Sequence, residues 1–338
     1  MATTVQGWQA ATPATRSRAR RSAALALRIG VSALMLAVLV WRAPHFDADV
    51  LVPDWSAATA LWLTGAASFT LFGLVLSTLR WQTVLAALGL RPRLRHLLSH
   101  TLAGQFVSNV LPTTIGGDVL RVSRLSRQSG QPPVSFASVV LERLTGWLVL
   151  PLITFVGFLV NPGLTHLGAA TKVALGLAAG TLMALAVVLA AVASARFGRH
   201  FGSRQGWYRF ADAVHLGVDR LRHRPGAACS VLAVGFAYQL VLVVAALMAA
   251  KAVGMGHGAG LTALLAFFPA VAIAQVLPIA ISGLGVREGA FVLFLTPLGI
   301  PTEQAIALGL VLYLLNLVVS LLGAPAFAFG AKARPALE

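Results

Sequence analysis

Three carboxylates in this chain lie where a carboxylate is costly. It has ten acidic residues among 338. Asp47, Asp49 and Asp54 share one polar loop, Asp212 and Asp219 another, Glu303 opens the last apolar run and Glu338 is the final residue. Asp118, Glu142 and Glu288 remain, in or beside apolar segments. Each has an arginine within three residues: Arg121, Arg143 and Arg287 respectively. A charge at the centre of a spanning helix costs roughly 2.5–3.5 kcal/mol on insertion scales, so such groups are matched and are functional candidates. Neighbours on a helix point about 100° apart, so Glu142 is not expected to pair with Arg143; Arg121 or Arg287 is its expected partner. The expected site is one buried cluster of Asp118, Arg121, Glu142, Arg143, Arg287 and Glu288, with Asn109 beside it. Its guanidiniums are suited to hold an anionic headgroup such as phosphate bidentately. The competing reading is structural: the same pairs merely neutralise one another and lock the fold.

A repeated segment positions these charges. V-L-P-x-x-I-x-G-x-x-x-R runs from Val110 to Arg121 and again from Val276 to Arg287, offset by 166 residues at every matched position. A carboxamide precedes each copy, Asn109 and Gln275. Pro removes a helical hydrogen bond and Gly permits non-helical backbone. Pro112, Gly116 and Gly117 in the first copy, and Pro278, Gly283 and Gly285 in the second, are therefore expected to break the helix. The glycines would expose N–H groups to the headgroup. Broken backbone at membrane depth persists only when buried in protein or lining a wet cavity, so 97–115 and 260–300 are read as re-entrant or broken helices. The alternative is chance recurrence of common membrane composition.

The rest of the chain is apolar enough to require a membrane. It is 58% hydrophobic and 11% charged, with mean hydropathy +0.83, which predicts an all-α polytopic protein. Six spans are expected near 22–42, 57–79, 134–160, 169–194, 227–250 and 304–330. Basic loops face the cytoplasm. This places the basic N-terminus 1–21, the stretch 80–131, loop 195–226 and tail 331–338 inside, and 43–56, 161–168 and 251–259 outside. The motif copies then face opposite sides. The membrane domain 22–330 reads as two inverted-topology repeats, about 20–160 and 165–330, each with two spans, a broken element and a span. Part of loop 195–226, where aromatics alternate with bases, is expected as an interfacial helix; a solvated linker is the alternative.

Other features exclude functions. The net charge of +16 sits in short loops between apolar runs, so a nucleic-acid partner is not expected. The single cysteine, Cys229, rules out an internal disulfide and reads as a packing residue. His96 and His100 have the i, i+4 spacing of zinc ligands, but no third ligand is evident and no metal is expected. Asn161, Asn316 and Tyr313 read as helix–helix hydrogen-bonding groups. No G-x-S-x-G and no G-x-x-x-x-G-K-[ST] occurs, so neither serine hydrolysis nor ATP hydrolysis is expected.

Asn109–Arg121 (N-V-L-P-T-T-I-G-G-D-V-L-R), Ser138–Leu144 (S-V-V-L-E-R-L) and Leu277–Ala290 (L-P-I-A-I-S-G-L-G-V-R-E-G-A) together resemble the flippase-like membrane domain of lysylphosphatidylglycerol synthases. That domain also occurs as stand-alone proteins, including hopanoid-associated and archaeal glycosylation relatives. The resemblance covers about 25–330. It implies translocation of a lipid or lipid-linked headgroup between leaflets of the inner membrane, with both termini cytoplasmic. The bifunctional members carry a soluble aminoacyltransferase domain after the membrane domain. This chain reaches Glu338 a few residues after its last apolar run, so a non-enzymatic protein without a cofactor is expected. The expected partner is a membrane phospholipid or a polyprenyl or hopanoid lipid, with a homodimer as an option. Movement would be downhill or ion-coupled through the buried acids. Two rival readings are a membrane transferase acting on polyprenyl-phosphate through a carboxylate such as Asp118 or Glu142, and an accessory subunit of a lipid- or glycan-synthesis complex.

Overall fold

The computed structural model describes residues 55–110, 116–193, 205–256, 260–276 and 283–329, with isolated positions 30, 33, 34 and 37. The N-terminus 1–21, most of the first expected span 22–42, the hinge residues Pro112 and Pro278, and the tail 331–338 lie outside the described residues. Among the described residues the fold is helical, without strands.

The first helix, α1 (Ala57–Ala87), is capped by the Ser56 hydroxyl, which accepts the Thr59 N–H at 3.1 Å. The expected span ends at 79, before Arg80. The helix continues eight residues further, because Arg80 is buried against Glu142 instead of marking the water boundary. Two shorter helices follow, α2 (Leu94–Val110) and α3 (Gly116–Ser129). Next come α4 (Pro132–Val160), α5 (Ala169–Ala193) and α6 (Gln205–Arg222). Helix α4 starts on proline, where a missing N–H costs nothing. The chain closes with α7 (Pro225–Ala252), α8 (Leu261–Val276), α9 (Val286–Leu295), α10 (Thr302–Leu321) and α11 (Gly323–Phe329). Among the described residues, five segments are long and apolar enough to cross a membrane: Ala57–Ala87, Pro132–Val160, Ala169–Ala191, Pro225–Ala252 and Thr302–Phe329, the last comprising α10 and α11.

Both motif segments carry a helix on each side: α2 and α3 lie either side of the first, α8 and α9 either side of the second, with 111–115 and 277–282 outside the described residues. The returning arm of the first lies in the stretch expected as a basic cytoplasmic loop. It is instead a helix that buries Gly117, Arg121 and Leu125 along one stripe at four-residue spacing. Shifted by the motif offset, 94–110 falls on 260–276, one residue from the bounds of α8. Packing follows the same exchange. Helix α4 packs on α8 as α10 packs on α2, and α3 packs on α4 as α9 packs on α10.

Helices α1 and α7 pack together and run antiparallel. A Cβ on Gly65 would meet Met248, one on Gly73 would meet Leu242 and Tyr238, and one on Gly235 would approach Arg80. The largest core lies where α4, α8 and α9 meet, with Phe267 stacked on Phe294 at 5.1 Å and edge-on to Phe158 at 5.5 Å. Helix α6 realises part of the basic loop as a helix. It packs Leu216 and Leu221 against a cluster of Val84, Ala137, Leu141 and Val231. Cys229, expected to pack, is instead exposed, in the second turn of α7.

Candidate functional site

Asp118, Arg121, Glu142, Arg143 and Arg287 line one cavity of about 330 Å³, and Glu288 is buried behind Arg287. Helices α1, α2, α3, α4, α7, α8, α9 and α10 all contribute to its wall.

Glu142 is the centre of the charge network. It is 3% exposed, ten residues inside α4. Its Oε2 accepts the Arg121 guanidinium. Its Oε1 accepts Arg80 Nη2 and Ser77 Oγ, each at 3.3 Å. The expected alternative partner, Arg287, is not its partner; Arg80 takes that place. Arg80 is absent from the expected cluster because its place just after the apolar run 57–79 marks it as a boundary charge. The signal was present: Trp81, Val84, Leu85 and Leu88 continue the helical apolar period beyond it.

Glu142 and Arg143 point apart, as expected. Arg143 is 55% exposed at the cavity and forms a two-point pair with Asp118, Nε to Oδ2 and Nη2 to Oδ1, both 2.9 Å. Asp118 also faces Arg121 at 3.5 Å. One continuous network of Arg80, Glu142, Arg121, Asp118 and Arg143 therefore ties α1, α3 and α4 together.

Arg287 and Glu288 stand apart from it. They pair with each other through Nε at 3.1 Å and Nη2 at 2.7 Å, so the expected single cluster is two groups, the second reaching the cavity wall through Arg287. Adjacent helical residues meet here because they occupy the first turn of α9. Glu288 turns back to accept the Gly285 N–H at 2.6 Å, which carries its carboxylate over Arg287. Gly285, at φ 87°, thus commits its N–H to Glu288 and does not offer it to a headgroup. Gly117 serves a close approach to the Gly104 carbonyl of α2. Gly116 opens α3, and Gly283, at φ 73°, sits against Gln275. Asn109 donates to the Asn316 carbonyl at 3.4 Å, and its neighbour Ser108 lines the cavity.

Each buried arginine lies over an aromatic ring: Arg121 over Trp81 at 4.1 Å, Arg80 over Tyr238 at 5.2 Å and Arg287 over Tyr313 at 5.3 Å. Trp81 is itself fixed by donating Nε1 to Ser138 Oγ at 3.0 Å. Tyr313 therefore bears Arg287. Asn161 bridges helices, donating to Thr262 Oγ1 at 3.1 Å. Asn316 lines the cavity and donates to Leu312 O at 3.0 Å on its own helix.

The histidines join the two arms of the first hairpin. Gln128 of α3 donates to His96 Nδ1 and accepts from His100 Nε2, both at 3.1 Å. Burial, with Arg124, His96 and Arg121 adding unfavourable charge, pushes the His100 imidazole down to about 4.

The model of the lysylphosphatidylglycerol synthase TM region matches residues 25–323, nearly all of the chain and all of this site. The chain belongs to that family. No curated protein and no solved structure matches it. As a lysylphosphatidylglycerol synthase TM-region protein it is a multi-pass membrane protein connected to lipid biology. Within that setting, a polar cavity ringed by arginines is suited to hold a phosphate.

Proposed function

We propose that this chain is a non-enzymatic, flippase-like protein of the inner membrane that moves an anionic lipid headgroup between leaflets. The observation that carries the reading is the cavity: four arginines and two carboxylates line it where helices of both halves meet, inside an apolar bundle, with Glu288 buried behind Arg287. A volume of about 330 Å³ falls at the small end of ligand sites. It suits a headgroup whose tails stay in the bilayer.

The proposed architecture is two inverted repeats, with 22–42 as a sixth span and both termini cytoplasmic. Antiparallel α1 and α7, the matched bounds of α2 and α8, and the exchange of packing partners support it. A polar wall shared by the two halves lets either side open to its own leaflet while the headgroup keeps its arginine contacts. The transferase reading gains nothing from the geometry. Asp118 and Glu142 each direct their oxygens at guanidiniums, not at a reacting group.

The test is leaflet exchange of acyl-labelled phosphatidylglycerol in liposomes holding the purified protein. Exchange above protein-free liposomes is expected, and its absence would overturn the transport reading. Topology is checked with single cysteines in a Cys229→Ser background. Positions 91 and 127 should label from one face and 256 and 303 from the other. Labelling of 91 and 127 from opposite faces would refute the re-entrant hairpin.

A further inference from the structure

Six exposed arginines gather at one end of the bundle, and none of them lines the cavity. Arg91 lies on the link that follows α1, Arg95 in the first turn of α2 and Arg127 in the last turn of α3. Arg220 and Arg222 end α6, and Arg224 is the N-cap of α7. Packing brings these elements together. Leu88, just past α1, shares a cluster with Leu216 and Leu221 of α6 and Val231 of α7. Leu90 packs with Leu97 of α2 and Leu125 of α3. The link is pinned between the two clusters, with Gln82 Nε2 donating to the Pro92 carbonyl at 3.1 Å. Gly89 turns the chain at φ 91°, and the Arg220 guanidinium lies 3.9 Å from where a Cβ on Gly89 would stand.

The charge gathered here is not balanced. Arg91, Arg222 and Arg224 form no ion pair among the described residues. Helix α6 carries two aspartates, Asp212 and Asp219, and Asp219 faces His223 at 3.4 Å. Among the described residues, the other end of the bundle holds Lys172 and Lys251 against Glu303. The excess of guanidinium is confined to one end.

Position along the spans tells what such a surface meets. Helices α1 and α7 are long and apolar enough to cross a membrane. Arg91 follows the end of one by four residues, and Arg224 begins the other. The ends of spanning helices lie at the headgroup level of a leaflet, and an arginine stem can run along apolar surface to reach it. The outward stripe of α6 is His215, Val218, Asp219 and Arg222, while Leu216 and Leu221 pack into the bundle. This face attracts by charge, not by inserting apolar side chains.

We propose that this end of the bundle is a binding surface for acidic phospholipid, separate from the cavity, whose arginines hold the phosphates of the adjoining leaflet. Guanidinium forks match phosphate oxygens, and basic residues beside a span draw anionic lipid toward them. Anionic lipid is thereby concentrated around one end of the protein only. The surface does not depend on the cavity's role, and absence of leaflet exchange would leave it standing.

Cys229, exposed five residues from Arg224 and the single cysteine of the chain, is a built-in reporter. A fluorophore on Cys229 is followed in phosphatidylcholine nanodiscs. Its quenching by acyl-spin-labelled phosphatidylglycerol is compared with that by equally labelled phosphatidylcholine. Phosphatidylglycerol should associate about fivefold more strongly, equivalent to ~1 kcal/mol. The preference should vanish in about 1 M salt, where the screening length is about 3 Å. Combining Arg91→Gln, Arg222→Gln and Arg224→Gln should remove most of it, with thermal unfolding confirming the fold; if that variant does not fold, the salt dependence of the wild type decides. Equal association of both lipids with the wild type overturns the proposal, as does a preference indifferent to salt or fully kept by the folded triple variant. Loss of the preference in Arg287→Ala would place the lipid in the cavity and overturn the separate surface. Displacement of phosphatidylglycerol by poly-glutamate would assign the arginines to an acidic protein instead.

Discussion

Gly157 and Gly323 lie 166 residues apart, the offset of the repeated motif, and both bring a helix into backbone contact with the hairpin arm of the opposite half. A Cβ on Gly157 of α4 would collide with the backbone of Ala266 in α8; one on Gly323 of α11 would collide with the Leu102 carbonyl of α2. The two contacts are counterparts, and both hold a hairpin against the helix that crosses it.

Gly157→Ala and Gly323→Ala should therefore each destabilise the protein, by about 1–3 kcal/mol as in other overpacked cores. Gly180→Ala, in α5 with nothing within 4 Å of the added Cβ, should be neutral or stabilising by up to ~1 kcal/mol. Thermal unfolding in detergent compares the three. A Gly157→Ala protein as stable as Gly180→Ala would show that the α4–α8 approach is looser than described.

Glu142→Gln should be much worse tolerated than Glu303→Gln. Glu142 serves two arginines at 3% exposure, and breaking a buried pair costs roughly 3–5 kcal/mol. Glu303 sits in the first turn of α10, where a lost charge–dipole interaction costs roughly 0.3–1 kcal/mol. Equal losses of thermal stability would mean that Glu142 is solvated.

Arg80 and Glu142 should be coupled. Arg80→Leu alone weakens the match to Glu142 but leaves Arg121 in place. Combined with Glu142→Gln, its cost should fall below the sum of the singles by about 0.5–3 kcal/mol, the range for residues in one network. Additive effects in a double-mutant cycle would remove Arg80 from the network.

Arg121→Ala and Arg287→Ala should each abolish leaflet exchange with the protein still in the membrane. Lysine at either position should also impair exchange, because a point charge replaces a planar fork. Wild-type exchange in both alanine variants would exclude a headgroup role. Loss of protein from the membrane would favour a purely structural one.

Acidification should loosen the first hairpin through His100. Its folded pKa, about 4, lies below the ordinary value near 6.5, so the folded state binds the proton less readily than the unfolded state. The stabilisation is fully present above about 6.5 and is lost as pH falls toward about 4. The melting temperature should drop over that window, and His100→Gln should reduce the drop. An unchanged pH profile in the variant would place the titration elsewhere.

The sequence by itself determined the membrane class, the approximate spans and the duplicated segment, because helical length and apolar composition are local properties that the bilayer enforces. It also placed Asp118, Arg121, Glu142, Arg143, Arg287 and Glu288 among the charges that need partners, and left Glu142 a choice of Arg121 or Arg287, since an isolated charge in an apolar run demands an opposite one. Which cation meets which anion was decided by the tertiary structure. Arg80 reaches Glu142 only because α1 extends past the point where its charge suggested water. Arg143 reaches Asp118 only because α3 folds back as a helix along α4. Arg287 keeps Glu288 because a first-turn glutamate bends to its own N-cap, a local geometry that helical periodicity does not encode. The cavity, too, is tertiary: its wall draws on eight helices from both halves, and no stretch of sequence records the gap left when they pack.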